Sequence, residues 1–178
     1  MYFLAIVLPQ ALNEKVLPYK EMMRERYGCM VGLKSPAHIT LVPPFWMEPE
    51  KETLFISDAD QLSATFHAFE AGTNDFSAFR PRTIFIALQP NAKLDGVKKK
   101  TDEFFREKEA YTFKLDTRPF HPHITIATRD LHKKDFHEAW PFFEKKSFKE
   151  TWMIDGLSVL RHNKKNWDVI HTSQFKNL

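Results

Sequence analysis

Ala37-His38-Ile39-Thr40-Leu41-Val42 and Pro122-His123-Ile124-Thr125-Ile126-Ala127 carry the same tripeptide, His-Ile-Thr. Both runs are rich in Ile, Leu, Val and Thr and have the length of strands. Side chains alternate along a strand, so the His and Thr of each copy share one face and the aliphatic residues share the other. Each copy therefore presents an imidazole beside a hydroxyl, anchored by apolar residues behind them. If the two strands lie next to each other, two proton carriers and two neutral hydrogen-bond donors converge. That is equipment for acid–base chemistry at a phosphate.

Outward from these runs, the chain reads as alternating strands and helices. Tyr2 to Leu8 is a continuous apolar run ended by Pro9, which predicts a buried strand. Leu12, Val16, Tyr19, Met22 and Met23 recur at helical spacing, with Gly28 as the stop. Pro18 lacks the N–H that bonds back one turn, so a kink or two shorter pieces are expected there. The first motif strand should cover about 37–42 and end at Pro43-Pro44. Pro49 suits a first helical turn, and that helix should reach about Leu62. Phe66 to Gly72 reads as a half-exposed strand, followed by a loop over Gly72-Thr73-Asn74-Asp75; Thr83 to Leu88 reads as a buried strand. Asn91 is a good cap for a helix with Leu94, Val97, Phe104 and Phe105 on its apolar face and Lys98-Lys99-Lys100 mostly on the other. The second motif strand should cover about 122–128. Asp130 is placed to cap a helix carrying Phe136, Ala139, Trp140 and Phe143, disturbed by Pro141. Two late strands, about Met153 to Arg161 and Trp167 to Gln174, flank a hairpin loop over 162–166.

The motif strands stand nearly half the chain apart, in similar surroundings. A duplicated α+β arrangement is therefore expected: two lobes, each with a mostly antiparallel sheet and flanking helices. No low-complexity linker separates them, so 1–178 should form one compact domain. At 178 residues, 43% of them hydrophobic and 28% charged, the chain can build a sizeable core and is not of disordered composition. The net charge of +3 suits an anionic ligand without proving one. Cys29 is the only cysteine, so no intrachain disulfide can form; this fits a reducing compartment, and the cytoplasm is the default location. The apolar opening has no basic segment ahead of it and is too short to cross a membrane. The lysine pairs at 133–134, 145–146 and 164–165 read as solvated faces.

One His-Ile-Thr would be an ordinary strand fragment; two in matching contexts point to function. His38, Thr40, His123 and Thr125 are the candidate catalytic residues. Histidine suits both halves of acid–base chemistry because its ordinary pKa lies near 6.5. Which histidine is the acid depends on which oxygen leaves; the first assignment has His38 protonating the leaving oxygen and His123 activating water. Phe45 and Phe120 flank the motif strands and are candidate platforms for a base, with core packing the alternative. Arg82 and Arg161 lie at strand ends, where each could meet a phosphate or pair on the surface. Ser35 could contact a phosphate or simply make a turn. His121 and His123 have a metal-ligand spacing, but no third carboxylate or thiolate accompanies them, so no metal is expected.

Two complete His-x-Thr copies resemble the mark of the 2H phosphoesterase superfamily, and within it the likeness is to the 2′-5′ RNA ligase-like proteins and cyclic phosphodiesterases. Tyr2-Phe3-Leu4-Ala5-Ile6-Val7-Leu8-Pro9 looks like the family's first strand, and Phe120 to Ala127 like its second motif strand with the usual lead-in. Leu160-Arg161, followed by Trp167-Asp168-Val169-Ile170, is similar to its closing hairpin. The resemblance implies two pseudo-symmetric lobes whose sheets line a central cleft, with helices outside. It also implies an enzyme that hydrolyses the 2′,3′-cyclic phosphate of RNA ends or nucleotides without metal or cofactor. Its partners would be RNA ends or a cyclic nucleotide, not a membrane, and it would act as a monomer. Joining of RNA through a 2′-5′ bond, or binding of RNA or a nucleotide without turnover, are the alternatives. In the resembling proteins an arginine near the end of the second motif strand helps bind the nucleotide. Here Thr128 stands where that arginine often falls, and Arg129 follows one residue later.

Overall fold

The computed structural model describes residues 1–112 and 118–176. Its strands are β1 (Tyr2–Val7), β2 (His38–Phe45), β3 (Phe69–Phe79), β4 (Thr83–Leu88), β5 (His123–Ala127), β6 (Thr151–Ile154), β7 (Gly156–His162) and β8 (Trp167–Gln174). Its α-helices are α1 (Gln10–Tyr27), α2 (Glu52–Ser63), α3 (Ala92–Arg106) and α4 (Lys133–Phe143). The strands form two four-stranded antiparallel sheets, in the orders β2-β1-β7-β8 and β5-β4-β3-β6. Helices α2 and α3 pack on the first sheet, α1 and α4 on the second. This is the expected duplicated α+β architecture, with helices outside a central cleft. Each motif strand is the edge of its own sheet, and the two edges meet. Behind them Ile39, Leu41, Ile124 and Ile126 are buried, as the alternation requires.

Several local expectations change. Helix α1 runs unbroken through Pro18. Pro18 and Glu14, whose carbonyl loses its N–H partner, both face solvent, where water can substitute. Gly28 stops the helix as expected: it is left-handed (φ 70°), its N–H bonds the Arg24 carbonyl, and the Cys29 N–H reaches Met23. Strand β2 continues through Pro43-Pro44 to Phe45. Leu4 pairs with Val42 and Tyr2 with Phe45, so Phe3 alone faces both prolines in a bulge on an edge strand, where missing N–H groups are tolerated.

Residues 72–75 are likewise not a loop. They form an irregularity inside the eleven-residue β3, with the register slipping between Thr73 and Phe76 and Asp75 at φ 61°. Thr73 is buried and donates to the Phe148 carbonyl at 2.8 Å, and the Asp75 carboxylate accepts from the Phe148 N–H at 2.8 Å. Polar residues that read as a loop are thus satisfied by a neighbouring segment. The late run from Met153 to Arg161 is two strands, split at Asp155: β6 pairs with β3 in one sheet and β7 with β1 in the other. The chain changes lobes there.

Two charged residues are also redirected. Lys98 turns inward, donating to the Leu41 carbonyl on the open edge of β2 at 3.0 Å and pairing with Asp102 at 2.5 Å. Asp130 does not cap α4, whose cap position is His132. Its carboxylate instead takes the N–H groups of Met30 and Val31, at 2.6 and 2.8 Å, and so caps the short 3₁₀ turn Val31–Lys34 ahead of β2. Asn91 caps α3 as expected, accepting from Lys93 and Leu94 at 3.1 Å. Among the described residues no helix is long and apolar enough to cross a membrane.

Candidate active site

The two motif strands hold their side chains in the same way. In β2, Val7 is paired with His38 and Ala5 with Thr40; in β5, Ala87 is paired with His123 and Phe85 with Thr125. Asn13 of α1 stitches the start of β2 to the end of β1, donating to the Leu8 carbonyl at 2.7 Å and accepting from the Ala37 N–H at 2.5 Å. His38 Nδ1 lies 2.8 Å from the Pro36 carbonyl oxygen, and His123 Nδ1 lies 2.7 Å from that of His121. A carbonyl can only accept, so Nδ1 carries the hydrogen in both rings. Nε2 is then the nitrogen left for a proton or a ligand.

Two adjoining cavities occupy the cleft. One, of about 300 Å³, is lined by His38 and Thr125, with Phe3, Lys20, Lys34, His162 and Trp167 around them. The other, of about 510 Å³, is lined by His123, with Phe79, Lys98, Arg118, Phe120 and His121. Thr40, Pro44 and Arg129 line both, so the four motif side chains open onto one continuous hollow. Among the described residues its walls carry five lysine and arginine side chains and no carboxylate. A cleft rich in positive side chains concentrates field and attracts the opposite charge, here an anion, although Lys98 is already paired with Asp102.

The two rings differ in their surroundings. His38 packs on Phe3, 5.0 Å between centroids, and its pKa is pushed down to about 4. Burial is the main cause; the charges of Lys20 and His123 add to it, and the bond to Pro36 opposes it. His123 sits between Phe79 and Phe85, at 5.2 and 5.0 Å, and is also lowered by burial, with His121 adding and the His121 carbonyl opposing.

The structure thus brings His38, Thr40, His123 and Thr125 together, and places Phe120 and Arg129 on the cavity walls. Arg129 adopts a left-handed backbone (φ 51°) directly after β5. Ser35 lines the His38 cavity. Three other candidates fall elsewhere. Phe45 is buried in the core against Phe55, 5.3 Å away, because the bulge carries β2 past the prolines and turns this ring inward. Arg82 is exposed in the turn between β3 and β4 and lines neither cavity. Arg161 is held by Glu52 at 2.9 Å and lines neither cavity. His121 contributes its carbonyl to orient His123, while its ring packs on Phe79 and Phe85. Among the described residues no three His, Cys, Asp or Glu side chains are grouped to hold a metal.

Sequence reasoning missed Lys20, Lys34, Lys98, Arg118, Phe3, His162 and Trp167. A signal existed for Lys20: it follows Val16 by four residues and precedes Met23 by three, on the buried face of α1. Lys34 and Arg118 stand only four and five residues ahead of the motif histidines, in lead-ins without a period to aim them, while Phe3, Lys98, His162 and Trp167 come from elements distant in sequence.

The family model described as the 2'-5' RNA ligase superfamily matches residues 12–166. The chain belongs to that superfamily. Membership in the 2′-5′ RNA ligase superfamily, and so in the 2H phosphoesterases, assigns it an enzymatic activity of phosphoesterase or ligase type. The chain is 26% identical over 154 residues to an Oceanobacillus iheyensis protein named "Putative phosphoesterase OB1230", covering 84% of this chain and 85% of that one. In fold it is similar to TT0787 of Thermus thermophilus, with a TM-score of 0.68, 18% identity and coverage of 99% and 98% of the two chains. It is also similar to E. coli LigT, solved with 3'-AMP, with a TM-score of 0.65, 17% identity and coverage of 98% and 97%. At such identities these two likenesses show the fold alone.

Proposed function

We propose that this protein hydrolyses 2′,3′-cyclic phosphates on RNA ends or nucleotides by two-histidine acid–base catalysis, without a metal. The observation that carries the reading is the duplicated imidazole geometry. Each Nδ1–H is held by the carbonyl two residues back, and each ring opens with a threonine onto the same hollow lined by lysine and arginine.

In this reaction water attacks phosphorus and one histidine Nε2 takes its proton. The other Nε2–H gives a proton to the departing sugar oxygen as the P–O bond breaks, leaving a phosphomonoester. The hydroxyls of Thr40 and Thr125 donate to the non-bridging oxygens, where charge develops. Exchange with solvent returns the proton from the first ring and restores it to the second. A site that shares one proton between two rings places it on the more basic one. Burial and Lys20 make His38 the weaker base. We therefore assign His38, neutral, to accept the proton from water and His123 to protonate the leaving oxygen, the reverse of the assignment drawn from sequence alone.

The test is incubation with 2′,3′-cyclic nucleotides in the presence of chelator, with identification of the phosphomonoester formed. Turnover is expected. Its absence on every cyclic nucleotide and on short RNA with a cyclic end overturns the reading. Tight RNA binding without chemistry, kept in the double His38→Ala, His123→Ala variant, would make the protein a binding module instead.

A second reading, 2′-5′ joining of RNA, is favoured by one feature. Cavities extend to both sides of Thr40 and Arg129, so a nucleotide has room on each side of the phosphorus. Product analysis with two RNA fragments separates joining from hydrolysis.

A further inference from the structure

Lys20 is the charged member of the buried face that α1 otherwise builds from Leu12, Val16 and Met23, and it is only 5% exposed. A lysine buried this far is almost always paired, because an isolated charge away from water is costly. Among the described residues no carboxylate lies within ion-pairing range of Lys20. Its Nζ donates to the Ser35 carbonyl at 3.2 Å, which uses one of three N–H groups. Its stem runs along Gly32. There an added Cβ would come within 3.9 Å of Lys20 Cγ and 2.2 Å of the Ile126 carbonyl, so this wall packs backbone against backbone. Lys20 lines the cavity that holds His38, Thr125 and Arg129, where its charge acts on the His38 ring, and on its other side a hollow with Glu14 and Ser35.

We propose that Lys20 is an anion-binding residue of this cleft, whose ammonium holds a non-bridging oxygen of the substrate phosphate beside His38 and Thr125. The proposal rests on reading the cleft as a phosphate site. A tie to Ser35 alone would leave a buried charge uncompensated; a bound phosphate compensates it and gives the remaining N–H groups an acceptor. Burial pushes the Lys20 pKa down to about 8, so in the empty site the ammonium is close to losing its proton. An anion beside it favours the charged form and raises that pKa. Binding then takes up a proton at alkaline pH, and affinity falls as pH rises through 8.

The test is calorimetric titration of the full chain with sodium sulfate at low ionic strength between pH 7 and 9.5. Sulfate is dianionic throughout that range. The other titratable or charged groups facing Lys20 are the Met1 amine, which burial lowers from its ordinary value of 8.0, Lys34, His38, Arg129 and His162, with His123 across the cleft and Glu14 lining the hollow on its other side; all are common to wild type and variants. Wild type should lose about tenfold in affinity over the range. Lys20→Arg should lose clearly less than wild type up to pH 9.5, because a guanidinium does not deprotonate there and only the Met1 amine, common to all variants, still titrates. Lys20→Met should bind about tenfold more weakly at pH 7 and lose clearly less than wild type above it, with a melting temperature equal to or above wild type because a buried charge is gone. Wild-type affinity and pH dependence in Lys20→Met overturn the proposal, as does the absence of saturable sulfate binding by wild type. Should Lys20→Met not fold, an alkaline loss in Lys20→Arg equal to wild type overturns it. Turnover of a cyclic nucleotide is scored separately, so Lys20 can fail while the phosphoesterase reading stands.

Discussion

The β2 half and the β5 half of the cleft use one backbone device in two different settings. In both, a carbonyl two residues back fixes the imidazole tautomer, and a threonine follows two residues later. The settings then diverge. His38 is walled by Phe3 and stands near the buried Lys20, while His123 lies between Phe79 and Phe85 beside an exposed His121. Strand geometry is local and was copied with the motif; protonation is set by neighbours from other elements and was not. A duplicated site can thus present two geometrically equal rings that are chemically unequal, as a reaction needing one acid and one base requires.

Removing either ring is the strongest way to break this pairing. His38→Ala and His123→Ala should each lower kcat/KM on a 2′,3′-cyclic nucleotide by about 10²–10⁴-fold, measured as initial rates. The double variant should lose little more than the worse single one, since the rings act as a unit. Two fully additive losses would mean independent roles. Thr40→Val and Thr125→Val keep shape and remove a donor. Each should cost about 10²-fold, at the low end for a transition-state donor.

The inequality of the rings is sharpened by pH. In the proposed reaction His38 must be neutral and His123 protonated. The rate should therefore rise with pH through about 4 and fall through the lowered pKa of His123, giving a kcat/KM maximum on the acid side of 6.5. Stability carries the same signature. The folded-state pKa of His38 lies below its unfolded value, so between pH 6.5 and 4 the unfolded chain binds more protons. The contribution is present above 6.5 and lost as pH falls toward 4, amounting to up to about 3 kcal/mol. Urea denaturation at pH 7 and 4.5 should show this loss in wild type and a smaller one in His38→Gln. Equal losses in both would place the acid sensitivity elsewhere.

The motif strands, Gly28 and Asn91 were legible in the sequence because each is a local device: alternation, a left-handed stop, a side-chain cap. So was the duplication, since it is written twice. What escaped was decided by partners far along the chain. The edge position of β2 lets Pro43 and Pro44 stay in a strand, and the 147–150 segment satisfies Thr73 and Asp75 where a loop was expected. Phe45 shows why proximity to a motif is a weak guide to a site: one bulge sends the ring to the core. Lys20 shows the converse, a charge at a core position that only the cavity beyond it explains.

Asp130 supplies the smallest of these effects and joins the two halves. It follows β5, yet its carboxylate holds the turn that precedes β2 through the Met30 and Val31 N–H groups. That turn carries Gly32 and Lys34, which form the wall of the His38 cavity. Asp130→Ala leaves both N–H groups without this acceptor and should lower stability by about 1 kcal/mol, as for a lost helix cap. Asp130→Asn keeps an acceptor oxygen and should lose less. The turn is the element directly released, so amide exchange at Met30 and Val31 should rise more than at Ile124 within β5. Sulfate affinity should then fall with it, because Lys20 lies against the same wall at Gly32. If exchange at the turn stays at the wild-type rate in Asp130→Ala, the close packing of Gly32 on the Ile126 carbonyl is sufficient to hold the wall, and the link between the halves is steric instead of electrostatic.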